Sequence, residues 1–383
     1  MVVYLDNAAT TPIRPEVIAV MTEAMQKNYG NPSSVHSVGR DANFEVLTAR
    51  TQIAKSINAN EDEIIFTSSG SEGDNLALLK TAELLKQQGN HIISSAIEHP
   101  AVLNTLKYLE TQGYEVTYLP VDEHGRITLE QVQADFTDKT ILVSLMYGNN
   151  EIGTIFPLQE IAEWLQTTKA LFHTDAVQAY GIEDINVQKL PVDLLTVAAH
   201  KVNGPKGIGF LYVRQGTKLL PLIHGGEQER HLRAGTENLP AILGFAEAVK
   251  FLTPTYKAEQ RAKYLSFRKL IVESLTKSGI AFKVNGVSDT DEPHLAHILS
   301  LWFPNINSQI LLTRLDLLGY AVSVGSACTA GNIEKSHVLT AVYGKDSSAV
   351  DETVRISFGY QITKNEVEEF IADLKRIIIE LND

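Results

Sequence analysis

One lysine of this chain follows an apolar stretch in a way that suits Schiff-base chemistry. Lys201 comes after residues 194–197, which are apolar and of strand length, and before the glycine-rich run 204–209. Small flanking residues allow an amine to be buried, and burial lowers its pKa and favours the neutral nucleophile. Lys206 suits this role less, because the proline and glycines around it are typical of a turn. A lysine in a surface turn is the alternative interpretation of Lys201.

Asp175 follows another apolar stretch, residues 171–173. In open α/β sheets, ligands bind at the carboxyl ends of the strands. A carboxylate at such a place could pair with a pyridinium nitrogen and keep it protonated, and Gln178 could donate to an oxygen of the same ring. The alternative is that Asp175 caps the N-terminus of a helix.

A run of small residues, 67–75, lies between a predicted strand (63–66) and a predicted helix (73–88). Small residues such as Gly70 and Ser71 let backbone N–H groups approach an anion, and the helix dipole favours negative charge there. The run therefore suggests a phosphate site. A serine-capped helix start is the simpler alternative.

Two further side chains could act on a bound ligand. His99 follows the predicted strand 91–95 and could stack on a planar ring or move protons near neutral pH. Arg355 lies in the alternating stretch 354–358 and could bind a carboxylate with two hydrogen bonds. A loop histidine before a helix and an exposed strand arginine are the alternatives.

Cys328 is the single cysteine of the chain. Its neighbours, residues 323–332, are mostly glycine, serine and alanine rather than the apolar residues around a structural cysteine. This pattern indicates an accessible thiol with a chemical use.

Composition limits the class of protein. The chain has 383 residues and a formal net charge of −13, which argues against direct nucleic-acid binding because phosphate contacts need cationic surface. A single cysteine forms no intrachain disulfide, and no apolar stretch approaches the roughly 20 residues of a membrane span. The N-terminal sequence lacks the pattern of a secretory signal. We expect a cytoplasmic protein without a membrane segment.

Strand-length apolar stretches alternate with helical stretches from about Glu16 to about Leu252. This alternation predicts an α/β fold with a mostly parallel sheet between helices. At Pro254 the pattern is interrupted, and a charged helix followed by shorter strands predicts a smaller α+β domain. We expect a large domain over 14–255, and a small domain formed by 1–13 and 256–383 that carries Cys328 and Arg355.

The order of these residues resembles the NifS/IscS-like cysteine desulfurases, which are fold-type I pyridoxal-phosphate enzymes of the class V aminotransferase superfamily. The resemblance covers essentially the whole chain. It runs from residues 4–12 to the C-terminal helix, and the matches that are specific in combination are residues 149–153, 200–201, 233–236 and 325–329.

The resemblance implies pyridoxal 5'-phosphate as the cofactor, held by Lys201 as a Schiff base. Lys201 is then the base and acid at the substrate carbon, and His99 stacks on the ring and assists proton transfer. Asp175 pairs with the ring nitrogen, Gln178 pairs with the ring hydroxyl, and Cys328 receives sulfur.

The resemblance also implies a homodimer with active sites at the subunit interface. Asn150 and Arg355 would hold the substrate carboxylate, and Asn150 also belongs to the cofactor site. Ala198 stands where the family commonly has a serine near the phosphate, so one hydroxyl donor is missing. The implied phosphate ligands are Gly70, Ser71 and His200, joined by Thr236 of a second subunit.

The implied activity is conversion of L-cysteine to L-alanine, with a persulfide on Cys328 that passes to a sulfur-acceptor protein in iron–sulfur cluster assembly or tRNA thiolation. A selenocysteine lyase or another class V aminotransferase is the nearest alternative. A sulfur-carrier or scaffold subunit without catalysis is an alternative of another class. The joint presence of Lys201, His99, Asp175 and Arg355 argues against a scaffold.

Overall fold

The computed structural model describes residues 2–287, 293–324 and 335–382. The strands are β1 (Val3–Tyr4), β2 (Ile64–Thr67), β3 (His91–Ser95), β4 (Glu115–Leu119), β5 (Thr140–Ser144), β6 (Leu171–Asp175), β7 (Leu194–Ala198), β8 (Gly209–Val213), β9 (Lys283–Val284), β10 (Ile298–Trp302), β11 (Tyr320–Ala321) and β12 (Thr353–Ser357). The helices are α1 (Pro15–Lys27), α2 (Ser37–Lys55), α3 (Gly70–Leu85), α4 (Pro100–Thr111), α5 (Leu129–Asp135), α6 (Leu158–Leu165), α7 (Leu239–Lys250), α8 (Pro254–Lys277), α9 (Ser308–Leu317), α10 (His337–Tyr343) and α11 (Lys364–Asn382).

The main sheet has seven strands in the order β2-β8-β7-β6-β5-β3-β4. The pairs among β7, β6, β5, β3 and β4 are parallel, whereas β8 runs antiparallel to both of its neighbours. Strands β2, β3, β5, β7 and β8 are buried along their whole length. This is the burial expected of a parallel sheet covered on both faces.

A second, three-stranded antiparallel sheet has the order β12-β10-β9. Beside it, β1 pairs in parallel with β11. The hydrophobic core at the three-stranded sheet combines Leu5 with residues of α8, α9 and α11, such as Phe267, Leu311 and Phe370. The core of the main sheet is separate and includes Phe210 and Phe245, which stack on each other.

The predicted α/β architecture is confirmed. Pro254, where the sequence predicts that the alternation is interrupted, is the first residue of the charged helix α8. Proline is favoured at the first helical position, where its missing N–H would have no partner in the helix. The domain boundary at 255/256 stays a prediction. Among the described residues, no helix is both long and apolar enough to cross a membrane.

A buried ion pair fixes the chain segment that leads to the predicted phosphate ligand Thr236. Two hydrogen bonds of 2.6 and 2.7 Å join the Arg50 guanidinium to the Glu229 carboxylate, which also accepts the Phe66 N–H at 2.9 Å. Glu229 begins three consecutive residues with positive φ, between 46° and 65°. This conformation is unfavourable for residues other than glycine, so the ion pair has to stabilise it.

Replacing Glu229 by Gln should destabilise the fold strongly. The neutral amide would leave the Arg50 charge buried without a counterion, and breaking such a pair typically costs about 3–5 kcal/mol. We expect this loss in the free energy of unfolding measured by chemical denaturation.

Glu368→Gln is the matched control, because it breaks an ion pair with Lys364 in which both side chains are about half exposed or more. It should leave the denaturation midpoint unchanged, since exposed pairs contribute little. Equal midpoints for the two variants would show that the Arg50–Glu229 pair is not required.

Candidate active site

A cavity of about 240 Å³ lies where the strands of the main sheet end. The turns and loops after β2, β3, β5, β6 and β7 all contribute to it, as the carboxyl-edge rule for α/β sheets predicts. It brings together most of the side chains predicted from sequence. Those lining it are Gly70, Ser71, His99, Asn150, Asp175, Gln178, His200, Lys201 and Arg355.

Lys201 ends a short 3₁₀ turn that directly follows β7. Its Nζ donates to the backbone carbonyls of Ala8 and Ala9 at 2.5 and 2.8 Å. The same N-terminal segment binds the turn through Thr11, whose N–H and hydroxyl both donate to the His200 carbonyl. The N-terminal segment therefore holds both the backbone of the turn and the amine of Lys201, which lines the cavity.

Asp175 is the last residue of β6 and is only 7% exposed. Burial raises the pKa of its carboxyl to about 6, although the Val177 N–H and the Lys201 charge act in the opposite direction. The Val177 N–H donates to Oδ1 at 2.9 Å. This is a local turn and not a helix cap, since a turn rather than a helix follows β6. A buried carboxylate in this place can pair with a protonated ring nitrogen.

The N-terminus of α3 forms the anion-binding end of the cavity. Ser69 caps the helix by accepting the Glu72 N–H at 3.1 Å, so the predicted serine cap is present. Gly70 is required by packing, because a Cβ there would lie 2.9 Å from Val177 Cγ2. Backbone N–H groups at such a helix start favour a phosphate, with Ser71 beside them.

His99 and His200 are both uncharged at neutral pH. Burial lowers the pKa of each to about 4, with the Lys201 charge as the next cause. His99 Nδ1 accepts the Ala101 N–H at 3.1 Å, which places the proton of the neutral ring on Nε2. His99 thus caps α4 and also lines the cavity, so the structural and functional interpretations are compatible.

Arg355 is 4% exposed, so the alternative of an exposed strand arginine is wrong. Its Nη2 donates to Asp6 Oδ1 and its Nη1 to the backbone carbonyl of Asn150, at 2.8 and 2.9 Å. Its Nε is buried without a hydrogen-bond partner in the described structure. A carboxylate ligand would supply an acceptor for such a guanidinium.

Gln178 is held by two hydrogen-bonding contacts, one with Ala8 and one with His297. Its amide nitrogen donates to the Ala8 carbonyl at 2.8 Å, and its amide oxygen lies 3.3 Å from His297 Nε2. Burial lowers the pKa of His297 to about 3, so a neutral ring occupies this position. Gln178 keeps a second amide proton with which it could bind a ring oxygen.

Two predicted residues do not line the cavity. Thr236 is exposed on the loop before α7. Cys328 lies outside the described residues, as do the other members of the 325–334 stretch. Their predicted roles stay predictions.

Three residues of the site were missed by sequence reasoning. Asp6 binds Arg355, His297 contacts Gln178, and Asp74 lines the cavity beside Asp175. Asp6 and Asp74 belong to stretches that the sequence analysis singled out, residues 4–12 and 67–75. Nothing in the local sequence indicates His297.

The donor set fits pyridoxal phosphate. A helix N-terminus with Ser71 suits the phosphate, the buried Asp175 suits a protonated pyridine nitrogen, and the Lys201 amine suits an aldehyde carbon. All three surround one cavity, and His99 offers a planar neutral ring to the same space. These residues could therefore hold the cofactor.

The family model described as Aminotransferase class-V matches residues 3–370. The chain is thus an enzyme of the class V aminotransferase family, whose members depend on pyridoxal phosphate. Within it, the chain belongs with the IscS-type cysteine desulfurases. It is 50% identical over 367 residues to the "Putative cysteine desulfurase IscS 1" of Bacillus subtilis (strain 168), covering 96% of each chain. It is 42% identical to the "Cysteine desulfurase IscS" of Methanosarcina thermophila, covering 100% of this chain and 93% of that one.

Solved structures have the same fold. A structure titled "NIFS-LIKE PROTEIN" superposes with a TM-score of 0.92 and 36% identity, over 99% of this chain and 100% of the other. A second, titled "SspA in complex with cysteine", has a TM-score of 0.81 and 35% identity, over 93% of this chain and 98% of the other. The predicted family and fold class are confirmed.

The buried histidines should make stability sensitive to acid. Burial lowers the pKa of His173 from 6.5 to about 3, so the unfolded chain binds a proton at this residue below pH 6.5 while the folded chain does not. The free energy of unfolding therefore decreases as the pH falls, and His173 accounts for about 1.4 kcal/mol of this decrease per pH unit. We expect His173→Gln to lose about 1–2 kcal/mol less stability between pH 7 and pH 5 than the unmodified protein.

Comparing the two proteins by urea denaturation isolates His173, because other buried groups titrate equally in both. His224→Gln is the matched control, since His224 is exposed. It should lose the same stability as the unmodified protein. An equal loss in His173→Gln as well would mean that His173 is charged in the folded state.

Proposed function

We propose that this protein is a cysteine desulfurase that uses pyridoxal phosphate to convert L-cysteine to L-alanine and leaves the sulfur as a persulfide on Cys328. One observation carries the proposal: the Lys201 amine, the Asp175 carboxylate and the Arg355 guanidinium all line one cavity. A scaffold subunit would have no need of this combination.

The bound cofactor supplies an electron sink that lets the α-carbon of an amino acid lose a proton. Asp175 supports that chemistry by holding negative charge beside the ring nitrogen. Lys201 Nζ lies at the edge of the same cavity and moves the proton to and from the substrate carbon. The neutral His99, with its proton on Nε2, also lines the cavity and assists this transfer.

The substrate carboxylate would bind at Arg355. Its guanidinium is held by Asp6 and by the Asn150 carbonyl, so it needs little reorganisation before it binds an anion. The unpartnered Nε would gain its missing acceptor. This arrangement suits an α-amino acid whose amine reaches the cofactor while its carboxylate meets Arg355.

Sulfur transfer needs a nucleophile, and Cys328 supplies it. The Cys328 thiolate attacks the substrate sulfur, the carbon–sulfur bond breaks, and a sulfur–sulfur bond forms. The carbon keeps the electron pair and takes up a proton, so that cysteine and thiol become alanine and persulfide in balance. Cys328 is five residues from Ser323, whose backbone is paired with that of Arg355. Five residues span at most about 18 Å, which keeps the thiol within reach of the cavity.

We propose that a sulfur-acceptor protein, in iron–sulfur cluster assembly or tRNA thiolation, then takes the persulfide sulfur. Neither route is favoured by the described surface.

Purified protein given L-cysteine and a thiol reductant should release sulfide and alanine in equal amounts, while the visible band of the cofactor shifts on substrate addition. The Cys328→Ala variant should keep the cofactor band and its shift but form neither persulfide nor sulfide, because the nucleophile is gone.

Two outcomes would contradict parts of the proposal. Full turnover by Cys328→Ala would show that another group accepts the sulfur. A cofactor band in the unmodified protein without either product would mean another substrate, with selenocysteine tested first.

We also propose a homodimer in which Thr236 reaches the phosphate site of the other subunit. Thr236 is exposed, on a loop anchored by the Arg50–Glu229 pair. This loop leads into α7. Helices α1 and α2 both pack on α7, and both expose large apolar side chains. A soluble monomer seldom exposes so many together. On the helices these side chains include Ile18, Met25, Phe44 and Leu47. Tyr29 and Val35, in the segment between the two helices, are also exposed.

Phe44→Asp should dissociate the dimer and weaken retention of the cofactor, because a charge would be buried in the interface and the Thr236 contact would be lost. Sedimentation velocity measures the first effect, and the fraction of cofactor retained after gel filtration measures the second.

Leu317→Asp is the matched control. Leu317 is an apolar residue on α9, a helix that packs beside the three-stranded sheet and not on α7. The residue is 80% exposed, against 68% for Phe44. Dissociation by both variants, or by neither, would contradict the proposed interface.

A further inference from the structure

Asp74 is a second carboxyl group in the cavity, and neither the sequence motifs nor the proposed reaction assigns it a role. It lies in the second turn of α3 and is 1% exposed. One of its carboxylate oxygens lies within 4.8 Å of a carboxylate oxygen of Asp175 and of a His99 ring nitrogen. Its Oδ1 has no hydrogen-bond partner among the described residues.

A chain of hydroxyl and imidazole groups meets Asp74 from the sheet side. Among these groups the Thr196 hydroxyl acts against burial, because it lowers the pKa of the Asp74 carboxyl. Thr196 Oγ1 lies 3.0 Å from His173 Nε2, and Ser144 Oγ lies 2.8 Å from His173 Nδ1. A neutral His173 ring carries one proton, so it donates to one of these two hydroxyls and accepts from the other.

Two buried carboxyl groups this close do not both carry charge at neutral pH, because each raises the pKa of the other and water is excluded. Asp175 accepts the Val177 N–H and is stabilised by Lys201. Among the described residues Asp74 has no such cation: His173 Nε2 is 3.6 Å away, but burial keeps that ring neutral. Burial, and then the Asp175 charge, raise the pKa of Asp74 well above its usual value.

The other titratable groups around Asp74 also favour its protonated form. Glu98, before α4, is fully buried, and its pKa is raised to about 8 by burial. His99 is uncharged, with a pKa lowered to about 4. Neither group offers Asp74 a positive charge, so the pair Asp74–Asp175 holds one proton, and Asp74 is the member that holds it.

We propose that Asp74 is a positioning residue that remains protonated and thereby leaves Asp175 as the single charged carboxylate facing the ring nitrogen of the cofactor. This inference rests on the proposed function, since it assumes that the cavity holds pyridoxal phosphate. A single negative charge matches the single proton of the ring. A second negative charge beside the ring would attract further protons or cations into the cavity that contains Lys201.

Infrared spectroscopy tests the protonation directly. A protonated carboxyl group has a carbonyl stretching band that is separate from the carboxylate bands. The difference spectrum between the unmodified holoenzyme and Asp74→Asn at pH 7 should show loss of a protonated-acid band and no loss of carboxylate bands. Loss of carboxylate intensity instead would overturn the proposal.

Cofactor affinity provides the second readout. Asp74→Asn keeps a neutral, planar group of the same size and should weaken cofactor binding by at most about threefold, whereas Asp175→Asn removes the charge and should weaken it about tenfold or more. Equal losses in the two variants would show that Asp74 carries charge and would overturn the proposal.

Isotope labelling keeps the test valid if Asp74→Asn folds poorly. Labelling aspartate side chains with ¹³C in the unmodified protein should shift a protonated-acid band, while the band of Glu98 stays in place. An unshifted spectrum in that region would overturn the proposal. Failure of the unmodified protein to bind pyridoxal phosphate would be a different result, because it contradicts the proposed function itself.

Discussion

Residues 6–11 hold the two sides of the cavity together, and the rest of the site depends on them. The Ala8 and Ala9 carbonyls accept the Lys201 amine, while the Asp6 carboxylate binds Arg355 on the other sheet. The Ala8 N–H donates to Ser357 Oγ at 2.8 Å, which fixes the segment to β12. A displacement of this irregular segment would release the amine and the guanidinium together. Several of its backbone groups are paired with partners more than 180 residues away, so its conformation depends on the completed fold.

Burial decides which groups of the cavity carry charge. The histidines are neutral because burial disfavours the imidazolium form, so His99 can donate from Nε2 without adding a positive charge beside Lys201. The charged groups occur in opposed pairs, with Asp6 against Arg355 and Asp175 close to Lys201. The cavity can therefore exclude water without leaving an isolated charge, which is the condition under which its remaining electrostatic interactions become strong.

Much of the site was predictable because its residues follow apolar strands. Lys201, Asp175 and His99 each come just after or at the end of such a stretch, and the carboxyl ends of parallel strands meet at one edge. The contact of Asp6 with Arg355 was not predictable, since 349 residues separate the two and neither has a local partner.

The chain flanking residues 325–334 is attached to the groups that would bind the substrate carboxylate. On one flank, Ser323 exchanges two backbone hydrogen bonds with Arg355, at 3.0 and 2.7 Å. On the other flank, the Ser336 hydroxyl binds the buried Glu151 carboxylate, next to Asn150, at 2.5 Å. Cys328 lies between these two flanks in sequence. Both ends of the segment that carries it are therefore anchored to residues that line the cavity or lie next to one that does.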